Sequence, residues 1–434
     1  MKNIYKLFLL LLSIFLAVNF SCNTTEPPPP DNGTLTLSLI DVSCSEAWVN
    51  LKTNGVTFPV NVNFLADGNT LAQVTNLSSA DTTVYIDSLL PNKSYQLQAQ
   101  FLKDNQTTSS NKITVQTLDT TSNNFTWQTY TFGDGASSVL NDVAIINENN
   151  IWAVGEIYVN DSTGKPDPQP YNLAVWNGVS WKLQKVTYQG YPPAIHSILA
   201  FSNNNIWLDP WFHWDGVKIQ ELAIDPALYG FGINKMWGTS STNLYVVGTS
   251  GNIAHYNGSS WQKIESGTTL NIEDIWGEKD NLSGELNILA VASGFRSNIA
   301  DKKVLAINNM SVSLITTSSL PNALTGIWFA GSHHYYICGD GLYFTNSLSS
   351  GWSGGYNGIP SIFEEAIRGN NINDIFVVGD FSLVLHYNGV NWHNYFNDGL
   401  PRIDAVLLSV DVKQNTVAFA GQIGNQAAVI IGKR

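Results

Sequence analysis

The sequence predicts an all-β chain, a β-sandwich followed by a seven-bladed β-propeller. Three observations lead there. Charged residues are only 13% and aromatics 12%, with 35 Gly, a mix that favours short strands and tight turns over helices. Residues 34–118 alternate apolar and polar side chains in short runs. From Phe125 onward the chain repeats itself in units that each read as four strands.

The first element is the N-terminal stretch "MKNIYKLFLLLLSIFLAVNFSC". Lys2 and Lys6 form a basic start, and Leu7 to Val18 is an apolar run too short for a comfortable membrane span. The run ends at Ser21-Cys22, and a small residue before Cys resembles the lipobox of bacterial lipoproteins, although Asn19 stands where that motif has Leu. The resemblance implies a signal peptide over 1–22, a diacylglycerol on the Cys22 thiol and a membrane as partner. It places the chain in the bacterial cell envelope, at the outer membrane. The tether 23–33, with four consecutive prolines, favours an extended spacer. The formal charge is −13, and removal of Lys2 and Lys6 leaves −15. Such a surface repels phosphate backbones, which excludes nucleic acid as a partner. Cys44 and Cys338 are far apart and read as buried free thiols, not as a disulfide or metal site.

The second element, residues 34–118, contains "TLTLSLI", "AWVNLKT", "VNVNFLA", "TTVYIDSLL", "SYQLQAQFL" and "KITVQTL". Period-2 alternation over runs this short indicates a sandwich. "LLPNKSYQLQA" carries Leu89, Pro91 and Tyr95 in the spacing of a late strand of fibronectin type III domains, which the region resembles. Leu51 takes the place of the tryptophan expected in the second strand. The resemblance implies a spacer module, and residues 119–124 form a linker after it.

The third element spans 125–434. "KMWGTSSTNLYVVGTSGNIAHYNGSSWQKI" is the most complete unit, and "AIRGNNINDIFVVGDFSLVLHYNGVNWHNYF" nearly copies it. An apolar strand ending in Gly sets the register at Gly155, Gly248, Gly294, Gly339, Gly379 and Gly421, with Asp209 in the remaining place. Gly248 to Gly421 spans four steps in 173 residues, about 43 each, the length of a four-stranded blade. The last unit lacks a fourth strand, and "FTWQTYTF" at Phe125 to Phe132 has the pattern to supply it. That pairing closes a ring and removes exposed strand edges. The strand ending in Gly, followed by Tyr256 and Trp261 or by Tyr387 and Trp392, resembles kelch-like bacterial propellers, with one Gly where kelch repeats have two.

The motif "HYNGSSW" returns as "HYNGVNW". Asn-Gly predicts a type I′ hairpin turn joining third to fourth strands, at Asn177, Asp215, Asn257 and Asn388. His255 and His386 then occupy equivalent places on different blades. They cannot converge on one metal, so no metal site is expected.

Function is sought where the units differ, on the face opposite the Asn-Gly turns. Divergent aromatics there give the candidate ligand-binding set: Tyr191, Trp211, Trp214, Tyr229, Phe231, Phe295 and the neighbouring Arg296. Taken singly, each ring fills a wedge between blades. Taken together, they suit a sugar face or an envelope protein. The pairs Glu273-Asp274 and Glu364-Glu365 are adjacent, and neighbours on a regular strand point to opposite faces, so neither pair is expected to share a site. No nucleophile, P-loop or zinc motif is present. No catalytic residue and no cofactor are therefore assigned, and a non-catalytic binding role is expected. The alternatives are a polysaccharide hydrolase with carboxylates from different blades in the central pocket, or a purely structural envelope component. Asp followed by Ser/Thr and Thr, with acceptors Thr82, Thr120 and Ser162, resembles the O-glycosylation signal of some bacterial surface proteins.

Overall fold

The computed structural model describes residues 33–434 apart from 104, 135–136, 281–282, 295–300, 321–322, 355–361, 398–399 and 401–403. Cys22 and the signal segment lie outside the described residues. The chain divides into two compact units: one of residues up to Leu39 with Trp48–Ile86 and Tyr95–Val115, the other of Ile40–Ala47, Asp87–Ser94 and Gln116–Arg434. The thiols of Cys44 and Cys338 are free and buried.

The N-terminal strands form two sheets. Thr34–Val42, Ala47–Asn54 and Asp81–Ile86 make one, in that order. Asn69–Leu77, Val60–Ala66, Ser94–Lys103 and Gln106–Ser109 make the other, with Ile113–Gln116 also on Ser94–Lys103. The alternation read in the sequence is the burial pattern: Leu35, Leu37, Phe64, Leu97 and Phe101 all point inward. Leu89 and Tyr95 are buried. The large aromatic of the second strand is Trp48, buried three positions before Leu51.

The larger unit holds seven consecutive four-stranded sheets among the described residues, arranged as propeller blades. Blades 1 to 6 span 139–184, 198–221, 233–265, 271–315, 324–354 and 364–394. Blade 7 is Ala405–Lys413, Thr416–Ile423, Gln426–Lys433 and, as its outer strand, Thr126–Phe132. Lys433 pairs with Thr126 and Ala427 with Phe132, so the start of the repeat supplies the strand missing at its end. Neighbouring blades share apolar cores. Ile146, Trp152 and Leu173 of blade 1 pack on Ile198, Leu208 and Phe212 of blade 2, and Val378 of blade 6 packs on Leu407 and Phe419 of blade 7. A second strand covered on both faces reads as an unbroken apolar run, which is why "LYVVG" and "IFVVG" do not alternate.

The Gly that set the register has a steric cause. In six blades the innermost strand carries a β-bulge near its start, at Asn141, Asn234, Glu273, Thr325, Glu365 and Leu408. The residue just before the bulge pairs with the register position: Leu140 with Gly155, Ile233 with Gly248, Glu364 with Gly379. A Cβ at Gly155, Gly248, Gly379 or Gly421 would overlap a carbonyl oxygen of the adjacent strand. Blade 4 corrects the sequence register, because Ile272 pairs with Ala292, so Ala292 and not Gly294 holds that place. In blade 2 Asp209 holds it with φ 47°, a left-handed conformation that Asp tolerates better than most residues.

The Asn-Gly turns also differ from expectation. Only the glycine is left-handed, at φ 91° in Gly258 and 98° in Gly389. A type I′ turn would need its Asn there too. The connection is instead a four-residue loop between paired Tyr256 and Trp261, and the Asn257 side chain accepts the N–H groups of Ser259 and Ser260. Asp215 and Asn388 do the same in their blades. The flanking rings pack as wedges: Tyr256 lies 5.2 Å from Trp261 and 5.8 Å from Trp207 of the preceding blade.

The repeated histidine is structural. His255 bonds Asn243 at 2.7 Å and stacks on Tyr245. His386 bonds Asp374 at 3.0 Å and stacks on Phe376. His213 bonds Asn205 at 2.9 Å. Each tethers its third strand to the first residue or neighbourhood of the second.

Gly379→Ala is expected to cost about 1–3 kcal/mol in chemical denaturation through overlap with the Phe363 carbonyl. Residue preference alone would have an alanine stabilise a strand, so an unchanged or raised midpoint would refute the steric account.

Candidate functional site

The bulges build a site at one end of the ring. Inserting a residue breaks the two-residue alternation, so a bulged side chain and its successor can turn to the same side. Asn141, Asn234, Glu273, Thr325, Glu365 and Leu408 all line one central cavity of about 230 Å³. His196, just before the first strand of blade 2, completes the ring, so all seven blades contribute.

This geometry corrects the reading of the acidic pairs. Glu273 and Asp274 both line the cavity, because Glu273 is bulged. Glu364 and Glu365 do separate. Glu364 is buried and accepts the Gly341 N–H at 2.9 Å, whereas Glu365 lines the cavity. Two glutamates from blades 4 and 6 therefore enter one cavity.

The wall beneath is stitched by two aspartates. Asp142 accepts Lys235 Nζ at 2.6 Å, Ser409 Oγ at 2.6 Å and the Ile198 N–H at 3.0 Å, which joins blades 1, 2, 3 and 7. Burial would raise Asp142, but Lys235 and these hydrogen bonds outweigh it and hold the carboxyl below its usual range. Asp274 takes Arg368 in a two-point pair, 2.7 and 2.8 Å, and accepts the Ile327 N–H at 2.9 Å, which joins blades 4, 5 and 6. Arg368 also lies over the Trp276 ring at 5.2 Å. Three of the bulged side chains reach the next blade's main chain: Asn141 to Ile195, Asn234 to Ile272 and Thr325 to Glu364, at 3.0, 3.0 and 2.8 Å.

Glu273 is held differently. Burial, then the charges of Glu365 and Asp274, push its carboxyl up to about 7. Its one described donor is Asn234 Nδ2 at 3.3 Å. His196 is raised by its bond to Asp209, whose side chain accepts the N–H groups of His196 and Ser197.

The aromatic set predicted from sequence is dispersed. Tyr191 and Tyr229 are 57% and 68% exposed, in the links entering blades 2 and 3. The link residues sit at the bulge end, since the Ile195 N–H bonds the Gly155 carbonyl and the Thr249 N–H bonds the Gly232 carbonyl. Trp211 and Phe231 are half-buried in packing around blades 2 and 3. Trp214 stands at the other end of its blade. It precedes the Asp215-Gly216 turn, donates its indole N–H to Asn203 and lies 5.6 Å from Trp152. Phe295 and Arg296 lie outside the described residues. Of the glycosylation acceptors, Thr120 and Ser162 are exposed and Thr82 is half-buried in a strand.

Two features escaped the sequence reading. One is the bulge ring, although a signal existed: Asn141 to Gly155, Asn234 to Gly248, Thr325 to Gly339 and Glu365 to Gly379 each span fourteen positions. The other is Phe381, 61% exposed with φ 54° in the turn after Gly379. A bulky side chain in that region is strained. The Asp380 N–H bonds the Phe363 carbonyl, which places this turn at the bulge end of blade 6. Ser250, with φ 57°, holds the same place in blade 3.

The fold and the ring of strand ends define a β-propeller with a central cavity at one end. Among solved structures, the chain is similar to YCF48 bound to D1 peptide, with TM-score 0.52 and 13% identity over 73% of this chain and 99% of that one. It is similar also to YCF48 from Cyanidioschyzon merolae, with TM-score 0.49 and 15% identity over 71% and 99%. At 13% identity the first likeness establishes the fold alone. No protein family profile and no curated protein matches the sequence.

Because Glu273 lies above its ordinary 4.5 in the folded chain, the stability it supplies is full below that value and is lost as pH rises through about 7. Glu365→Gln removes the second-largest cause and is expected to lower the Glu273 midpoint in a carbon-detected NMR titration of side-chain carboxyls. An unmoved midpoint would separate the two glutamates electrostatically.

Proposed function

We propose that the chain is a non-catalytic binding module whose ligand, a protein or glycan, docks on the bulge end of the propeller. The observation that carries this reading is the cavity lined from all seven blades, on the end where Tyr191, Tyr229 and Phe381 stand exposed. Exposed aromatic rings beside a pocket are the usual anchors of recognition. The YCF48 structure holds a peptide, which supports protein as the ligand class by analogy of fold.

A hydrolase acting on polysaccharide is the second reading. One observation favours it: two glutamates from different blades share the cavity, and one of them is held near 7, where a general acid works. The cavity of about 230 Å³ counts against it, because ligand sites usually run to about 300–1,000 Å³. The experiment is binding to glycan and peptide arrays by wild type and by the triple variant Tyr191→Ser, Tyr229→Ser, Phe381→Ser. Retained array binding in the variant would move the site off this end. Glycan turnover lost in Glu273→Gln would establish the hydrolase instead.

We propose further that the module hangs from a membrane through lipid on Cys22, with the sandwich as a fibronectin type III-like spacer. The strand order of its two sheets and the Pro-rich tether support that role. The Cys22→Ser chain is expected to lose palmitate labelling and to leave the membrane fraction. Labelling that persists would remove the anchor from the proposal.

A further inference from the structure

We infer, resting on the binding-module reading, that Phe381 is a preformed anchor that packs into an apolar segment of a protein partner. Three observations carry this.

The first is a mismatch between side chain and backbone. Phe381 and Ser382 are consecutive left-handed residues, at φ 54° and 61°. Blade 3 makes the same turn with Ser250 and Gly251, at φ 57° and 73°. The fold therefore sets the turn, and the residue that fills it is a separate choice. Glycine, asparagine or aspartate sits in that region at least cost, whereas a bulky ring is strained there.

The second is that the strain is not offset within the turn. The Asp380 N–H bonds the Phe363 carbonyl at 3.0 Å, the Leu383 N–H bonds the Asp380 carbonyl at 3.0 Å, and the Gly379 N–H bonds the Leu383 carbonyl at 3.1 Å. The Ser382 hydroxyl accepts the Ala405 N–H at 3.3 Å. These bonds hold the turn, and none of them uses the Phe381 side chain, which is 61% exposed. An exposed apolar side chain alone is ordinary. An exposed ring in a strained conformation is not, because strain persists where something gains by it. The gain here is placed outside the chain.

The third is position and chemistry. The turn is bonded to Phe363, which lines the central cavity, and it stands at the end where Tyr191 and Tyr229 are exposed. Its hydrogen bonds fix the ring's mounting in advance, which lowers the ordering cost of binding. A phenyl ring has no polar atom to satisfy when it is covered, so it suits apolar side chains of a polypeptide better than the hydroxyls of a sugar. At a net charge of −13 two copies of the chain repel each other, so the partner is a different protein.

The test pans a random dodecapeptide phage library on the full chain. The selected peptides are then titrated against wild type and Phe381→Asn, and urea denaturation of both proteins runs beside the titration. Asparagine tolerates the left-handed region, so Phe381→Asn is expected to raise the urea midpoint. The selected peptides are expected to share apolar residues and to bind this variant about tenfold more weakly. A gain in stability together with a loss of binding is the signature of an anchor and not of a structural ring. A midpoint that fails to rise, selected peptides without apolar residues, or full binding by the variant overturns the inference. Glycan binding with no peptide selected overturns it in favour of a sugar. Self-association of wild type that Phe381→Asn abolishes, read by light scattering, overturns it in favour of a second copy. Peptide binding lost in Tyr191→Ser, Tyr229→Ser but indifferent to Phe381→Asn would sink the anchor and leave the binding module standing. Silence toward both peptides and glycans removes both.

Discussion

The structure depends on one local irregularity, a β-bulge at the start of the innermost strand of six blades. A regular strand there would send alternate side chains into the two neighbouring blades and leave the axis to whatever fell between. The bulge adds a residue that turns to the axis and brings its successor along the wall. It also crowds the partner strand, which then needs a residue without a Cβ at the pairing position. The repeat's most visible sequence mark, an apolar strand ending in Gly, is the shadow of that crowding. Two blades depart from that pattern. Blade 2 uses Asp209 in a left-handed conformation, and its carboxylate caps the N–H groups of His196 and Ser197. Blade 4 accommodates Ala292.

The axis is then held by two buried aspartates in place of a hydrophobic plug. Asp142 and Asp274 between them touch all seven blades. Removing one partner of a buried pair leaves an uncompensated charge, at a cost of about 3–5 kcal/mol. Such pairs are weak arguments for net stability but strong ones for arrangement, because each oxygen must find a donor from a particular blade. The closing strand works at the rim in the same sense: Thr126–Phe132 pairs with every residue from Ala427 to Lys433.

The repeat, the blade count and the closing strand were legible in the sequence because they are carried by apolar strands and Gly, whose causes are local and recur. The function of "HYNGSSW" as scaffold was legible for the same reason, since His255 and His386 each find a partner inside their own blade. The turn type was not. Asn-Gly fits two geometries, and the choice depends on whether the Asn side chain accepts N–H groups from the residues that follow it. The candidate site was the least legible. Alternation is a rule for regular strands, and it separates Glu273 from Asp274 on paper. One inserted residue, invisible without pairing partners, puts both on the axis. The aromatics misled for a related reason. Trp211 and Phe231 differ from their counterparts in other blades because they fill wedges around a shortened blade 2, and Trp214 belongs to the other end.

The same site holds carboxylates in two electrostatic states, and geometry decides which is which. Asp142 is more deeply buried than Glu273, yet it is held below its usual range while Glu273 is pushed up to about 7. Burial acts on both in the same direction. The difference is the company. A residue after a bulge faces its neighbours across the wall, where a lysine, a hydroxyl or a main-chain N–H meets it. Bulged Glu273 lines the cavity instead, where it meets the charge of Glu365. Charge balanced within the wall builds the ring, and burial beside like charge raises the carboxyl that faces the cavity. Cross-blade pairing and the raised carboxyl thus fall to adjacent residues of one strand, Asp274 and Glu273.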